Sequence, residues 1–170
     1  MAKPVLAKIW SAFPDHEAYP SLRDLYSHLG GDAARNIEAP GFGPNGNTCA
    51  SRLSVAFNKG GAPINAVIAR AAGAQTLGVA DGARIIFRVT EFRAYLLRLL
   101  GKPLVDNASP YDSAFRGKRG IVAFTVNWSD ASGHIALWDG VRYREPGHDN
   151  YATYTNGSAK TSRGEFWELA

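Results

Sequence analysis

Cys49 is the single cysteine of the chain, and its surroundings suit a nucleophile. It follows a glycine- and proline-rich stretch, residues 40–46, and opens a run of helix formers that reaches Lys59 before Gly60-Gly61. Asn47 or Thr48 serves as N-cap. The thiol then sits in the first helical turn, where the positive end of the helix dipole favours the thiolate. Cys49, Leu53, Ala56 and Phe57 share one helix face, so the sulfur points inward. Two readings are open for such a residue: a thiol nucleophile, or a small buried hydrophobe.

A cysteine nucleophile needs an imidazole to take its proton and a third polar group to orient that ring. The chain has 4 histidines. His16 lies between Asp15 and Glu17, and His28 on the polar side of a helix, settings that read as surface. His134 instead heads a run of core residues, directly after Gly133. Alternation puts Ala136 and Trp138 on its face of a strand and Ile135 and Leu137 on the other. Two acids compete for the orienting role. A two-residue turn at Asp139-Gly140 would pair Trp138 with Val141 and so bring Glu145 opposite His134, about 5 Å away. Asp149, just past Pro146-Gly147, folds back to the same end of the sheet. Asp139 lies at the far end and reads as turn chemistry.

The elements that must hold these residues follow from periodicity. Helices are expected from Pro20-Ser21 to Leu29, from Cys49 to Lys59, from Ile64 to Ala72 with Val67 on its buried face, and from Thr90 to Leu100. A short strand spans Arg84 to Val89, and residues 104–118 read as loop. From Gly120 the pattern changes to strands: Ile121–Trp128, a connection at 129–133, His134–Trp138, and a return strand Val141–Glu145. Tyr151–Tyr154 and Gly164–Leu169 are further strand candidates. Helices first and an antiparallel sheet second define an α+β fold.

With 170 residues, 45% hydrophobic and 20% charged, residues 1–170 are expected to form a single domain with a full core. The net charge of +4 is scattered, which gives no nucleic-acid stripe but suits an anionic polymer weakly. One cysteine excludes an intrachain disulfide and a multi-cysteine zinc site; neither cofactor nor metal is expected. No apolar run approaches the ~18 residues of a membrane span, so no membrane insertion is expected. The first ten residues lack the apolar segment of a signal peptide, so the expectation is a protein made in the cytoplasm and exported, if at all, by a dedicated machine.

Two blocks carry a resemblance. Asn47-Thr48-Cys49-Ala50-Ser51-Arg52-Leu53-Ser54 and the stretch from Trp128 through His134 to Gly140 resemble the signature blocks of the type VI secretion amidase effector 4 family, cysteine peptidases of the papain-like NlpC/P60 fold. The similarity runs from about residue 40 to 150. It implies a nucleophile at Cys49, a base at His134 and, by the Asp149-Asn150 dipeptide, an orienting acid at Asp149 with Glu145 as the alternative. The paired cysteines that some relatives carry near that dipeptide have no counterpart. The resemblance further implies hydrolysis of the D-glutamyl–meso-diaminopimelate bond of peptidoglycan, delivery into a rival's periplasm, and a cognate immunity protein.

From the residues alone, other readings remain. The same layout serves an acyltransferase or a deamidase, and a wall-binding module would use Cys49 as packing. The Cys49 N–H, at the helix start, is expected to support the oxyanion. Trp10, Trp128 and Trp138 either line a groove or fill the core, and Arg52 either meets a substrate carboxylate or faces solvent.

Overall fold

The computed structural model describes residues 2–39, 42, 46–107, 111–129 and 132–170. Most of the glycine-rich stretch before Asn47, and residues 130–131 of the connection before Gly133, lie outside them. The helices are α1 (Leu6–Ser11), α2 (Leu22–Leu29), α3 (Gly31–Arg35), α4 (Cys49–Lys59), α5 (Ala66–Ala71), α6 (Val89–Leu100), α7 (Tyr111–Phe115) and α8 (Pro146–Asp149). The strands are β1 (Thr76–Gly78), β2 (Arg84–Ile86), β3 (Val105–Asn107), β4 (Gly120–Val126), β5 (Gly133–Trp138), β6 (Thr155–Asn156) and β7 (Ala159–Glu168). Strands β1 and β2 form a small ribbon; the main sheet runs β3-β7-β4-β5 with β6 added to β7, every pairing antiparallel. This is an α+β fold, with N-terminal helices packed on a C-terminal antiparallel sheet.

Local chemistry sets the helix starts. Ser21 and Asp24 close a reciprocal capping box on α2, the side chain of each accepting the other's backbone N–H. Asn65 caps α5 by accepting the Ile68 N–H at 3.0 Å, so this helix begins two residues later than expected. Val67 is consequently 77% exposed, and Ala69 takes the buried position instead. The short elements α1, β1, β3 and α7 carry too few residues for periodicity to register.

Strand β4 is apolar except at the half-buried Thr125, because both of its faces are covered. Ile121 and Ala123 join Ile135, Leu137 and Trp167 under α1, α4, α5 and α6. Val122, Phe124 and Val126 join Ala136, Phe166 and Phe115 on the other side. Full burial of side chains of this size contributes about 1.5–3 kcal/mol each. Tyr151–Tyr154 forms no strand, and β7 begins earlier than the expected Gly164.

The return strand after β5 departs from expectation. Asp139 Oδ1 accepts the N–H groups of both Val141 and Arg142, at 2.9 and 2.8 Å. That widens the turn, so Trp138 bridges Tyr143 rather than Val141. Pairing then ends: the Arg144 N–H reaches the Leu137 carbonyl, and the chain turns into α8. Among the described residues, no helix is long and apolar enough to cross a membrane.

Candidate active site

Cys49 is the first residue of α4, and it is 5% exposed. The helix is fixed beneath it by two serines. Ser54 Oγ donates to the Ile86 carbonyl and accepts the Ile86 N–H, tying α4 to β2. Ser51 Oγ shares a 2.8 Å hydrogen bond with the buried Tyr26 hydroxyl. Burial pushes that phenol up to about 12; the Ser51 bond opposes the rise and the charge of Cys49 adds to it. The Cys49 N–H is not free at the helix start, because it donates to Asn47 Oδ1 at 3.0 Å. Oxyanion support from that N–H therefore requires substrate to displace the Asn47 side chain.

His134 stands on β5, paired with Phe124 across the sheet. Gly133 before it accommodates a close approach, since a Cβ there would lie 2.1 Å from the Phe124 carbonyl oxygen. Strand β5 ends the strand path, and α4 packs against it. The imidazole thus meets the helix start at the margin of the sheet. Its Nε2 lies 2.8 Å from Asp149 Oδ1, and the Cys49 side chain is near enough to act on the ring electrostatically. Burial alone would lower its pKa; the Cys49 charge, and the hydrogen bond and charge of Asp149, outweigh burial and raise it from 6.5 to about 10. The arrangement therefore keeps the imidazole protonated beside the nucleophile. The Tyr151 ring covers the imidazole at 4.6 Å between centroids.

Asp149 is the last residue of α8, a single turn that Pro146 starts. It is 2% exposed; Oδ1 faces His134, and Oδ2 accepts the Glu145 N–H at 2.9 Å. Of the two competing acids, Asp149 is the one on the histidine.

Glu145 is elsewhere, because the wide turn removes the pairing that would have placed it opposite His134. Its carboxylate accepts the His16 N–H at 2.7 Å and contacts His16 Nδ1 at 2.9 Å. Burial pushes its carboxyl up, but the hydrogen bonds from His16 and the charges of His16 and Arg52 hold it below the usual range. His16, expected at the surface, is therefore a buried acid's partner. The 129-residue separation leaves no local sequence signal for the contact.

Arg52 neither faces solvent nor points at substrate. It is fully buried, with Nε on Thr48 Oγ1 and its other nitrogens on the carbonyls of Pro14, Asp15 and Tyr19. Burial lowers its pKa, while Glu145, Asp15, Cys49 and Asp149 oppose that shift. Arg52→Met is expected to cost about 3 kcal/mol in urea unfolding, because it strands several buried carbonyls. Trp138 is core, Trp10 packs partly against the helical core, and Trp128 donates Nε1–H to Tyr154 OH at 3.0 Å.

Comparison with known proteins gives this arrangement a family. Residues 45–167 match the family "Type VI secretion system (T6SS), amidase effector protein 4", Tae4. The chain belongs to the Tae4 family. No curated protein sequence matches it significantly. Among solved structures, it is similar to Tae4 from Salmonella typhimurium in complex with the immunity protein Tai4 from Enterobacter cloacae, at 31% identity and a TM-score of 0.81, with 99% of this chain and 100% of that one covered. The Tae4–Tai4 complex from Enterobacter cloacae gives 30% identity, a TM-score of 0.81 and the same coverage. The crystal structure of Tae4 from Enterobacter cloacae gives 31% identity, a TM-score of 0.79, and coverage of 99% of this chain and 98% of that one. Tae4 proteins are amidase effectors, and the helices-then-sheet order here is their papain-like NlpC/P60 fold.

Proposed function

We propose that residues 1–170 work as one amidase domain that cleaves the D-glutamyl–meso-diaminopimelate bond of peptidoglycan stems, delivered by a type VI secretion machine as an antibacterial toxin. The observation that carries this reading is His134, hydrogen-bonded to Asp149 and set beside Cys49 at the start of α4, in a chain of the Tae4 family. Cys49 thiolate attacks the amide carbonyl, and the N-terminal end of α4 offers its partial positive charge to the oxyanion. His134 gives its proton to the leaving amine, which departs and leaves a thioester on Cys49. Water, deprotonated by His134, hydrolyses the thioester and releases the carboxylate. Asp149 holds the ring through Nε2 throughout.

The proposed setting is the periplasm of a competing Gram-negative cell, reached through the type VI secretion machine. A cognate immunity protein would block the site, as the solved Tae4–Tai4 complexes support. The test is growth of a Gram-negative host expressing the chain with or without an appended periplasmic leader. Lysis confined to the periplasmic form, and relieved by a co-expressed cognate Tai4-type immunity protein, is expected; equal toxicity in the cytoplasm would overturn the proposal.

The pair's charge state sets a pH profile. The folded-state pKa of His134 lies above its ordinary 6.5, so its proton is retained through neutrality and lost as pH passes about 10. The expected kcat/KM therefore shows no fall near pH 6.5–7 from histidine deprotonation and declines only on the alkaline side near pH 10. A stopped assay from pH 6 to 10.5 checks this.

A further inference from the structure

Asp149 is held by more than its own helix turn. Its Oδ2 accepts the main-chain N–H of Glu145, and the Glu145 carboxylate is gripped by both the N–H and the ring of His16. The same His16 ring stacks on His148, the residue before Asp149, at 4.0 Å and 5° between planes. Just before His16, the carbonyls of Pro14 and Asp15 accept from Arg52, which lies one turn after Cys49 on α4. Arg144 adds a contact to Asp15 Oδ2 at 3.3 Å. The contacts close a ring from Cys49 along α4 to Arg52, through residues 14–16 to Glu145 and α8, and back through Asp149 and His134 to Cys49.

We propose that His16 and Glu145 are positioning residues for the proposed amidase reaction, clamping α8 so that Asp149 stays on His134 Nε2 at a fixed distance from the helix that carries the nucleophile. This rests on the function proposed above. His16 reaches the site from outside the stretch matched by the family, residues 45–167, whereas Glu145 lies within it. Neither residue touches the reacting atoms; both act through Asp149. The charged and titratable groups around the clamp are Asp15, Arg52, Arg144, His148 and Asp149.

The test reads His134 directly, with no substrate. Ring nitrogen-15 titrations by NMR compare wild type, Glu145→Ala and His16→Ala, with circular dichroism to establish folding. The expected result is a His134 titration point lower by about one pH unit in Glu145→Ala, since a loosened Asp149 stabilises the imidazolium less. His16→Ala, which keeps its backbone N–H donor, shifts it less in the same direction, and it carries the test if Glu145→Ala does not fold. On muropeptides, kcat falls about 10-fold with KM unchanged, the expected cost of a misplaced catalytic group. Glu145→Gln, which keeps an acceptor for His16, recovers most of the rate. Folded variants with the wild-type His134 titration would overturn the clamp. An inactive wild type with shifted titrations in the variants would overturn the amidase reading instead and leave the geometry standing.

Discussion

Cys49→Ala is expected to reduce amide hydrolysis at least 10⁴-fold, to the level of the background, while leaving the fold intact. Removing a nucleophile that acts as a unit with its base eliminates nearly all of the covalent route. The structural cost is small, since only one sulfur leaves a site already 5% exposed; about 1 kcal/mol is expected from the lost packing. The substitution has a second signature. The Cys49 charge is the largest influence raising the His134 pKa, so the imidazole should titrate well below about 10 in the variant. Steady-state assays on a purified muropeptide, with a nitrogen-15 titration of His134, check both effects. A cysteine that was only core packing would leave the rate unchanged.

Asp149→Ala is expected to lower kcat roughly 10²–10³-fold, within the range that positioned acid–base groups contribute. The buried Nε2 of His134 would lose its carboxylate contact, and the ring would lose the acceptor that fixes its tautomer. Asp149→Asn is expected to cost less, because the amide oxygen still accepts from Nε2–H while the charge is lost. In both variants the alkaline limb of the rate profile moves down, since Asp149 helps hold the His134 pKa up. KM should change little, because Asp149 is 2% exposed and has no surface to offer substrate. Comparison of kcat, KM and the pH profile across the three proteins checks the prediction.

The architecture was legible where long segments carry strong patterns. The 3.6-residue period of α2, α4 and α6 and the two-sided apolar run of β4 follow from the sequence because burial demands them. The position of Cys49 at the start of α4 follows from the punctuation on either side of that helix. The choice between Glu145 and Asp149 was not legible from strand geometry, although the family's Asp149-Asn150 dipeptide favoured Asp149. It turns on Asp139 Oδ1 accepting two backbone N–H groups, which widens the turn and moves the bridge from Val141 to Tyr143. A hairpin rule built on a two-residue Asp-Gly turn has no term for that side chain. His16 and Arg52 were misread for a related reason. A polar or charged side chain reads as surface unless a partner far along the chain is known, and their partners lie 129 and up to 38 residues away. The engaged amide of Cys49 was equally invisible, because it depends on the rotamer of Asn47.

The central claim is that this thiol cleaves one bond of the stem peptide. Its most direct test is digestion of purified diaminopimelate-type peptidoglycan by the wild-type protein and by Cys49→Ala, with the released muropeptides mapped by mass spectrometry. The account predicts fragments that end in D-glutamate and peptides that begin with a free diaminopimelate amine, both absent from the variant digest. Intact stems after treatment with folded wild-type protein, or the same fragments from Cys49→Ala, would contradict it.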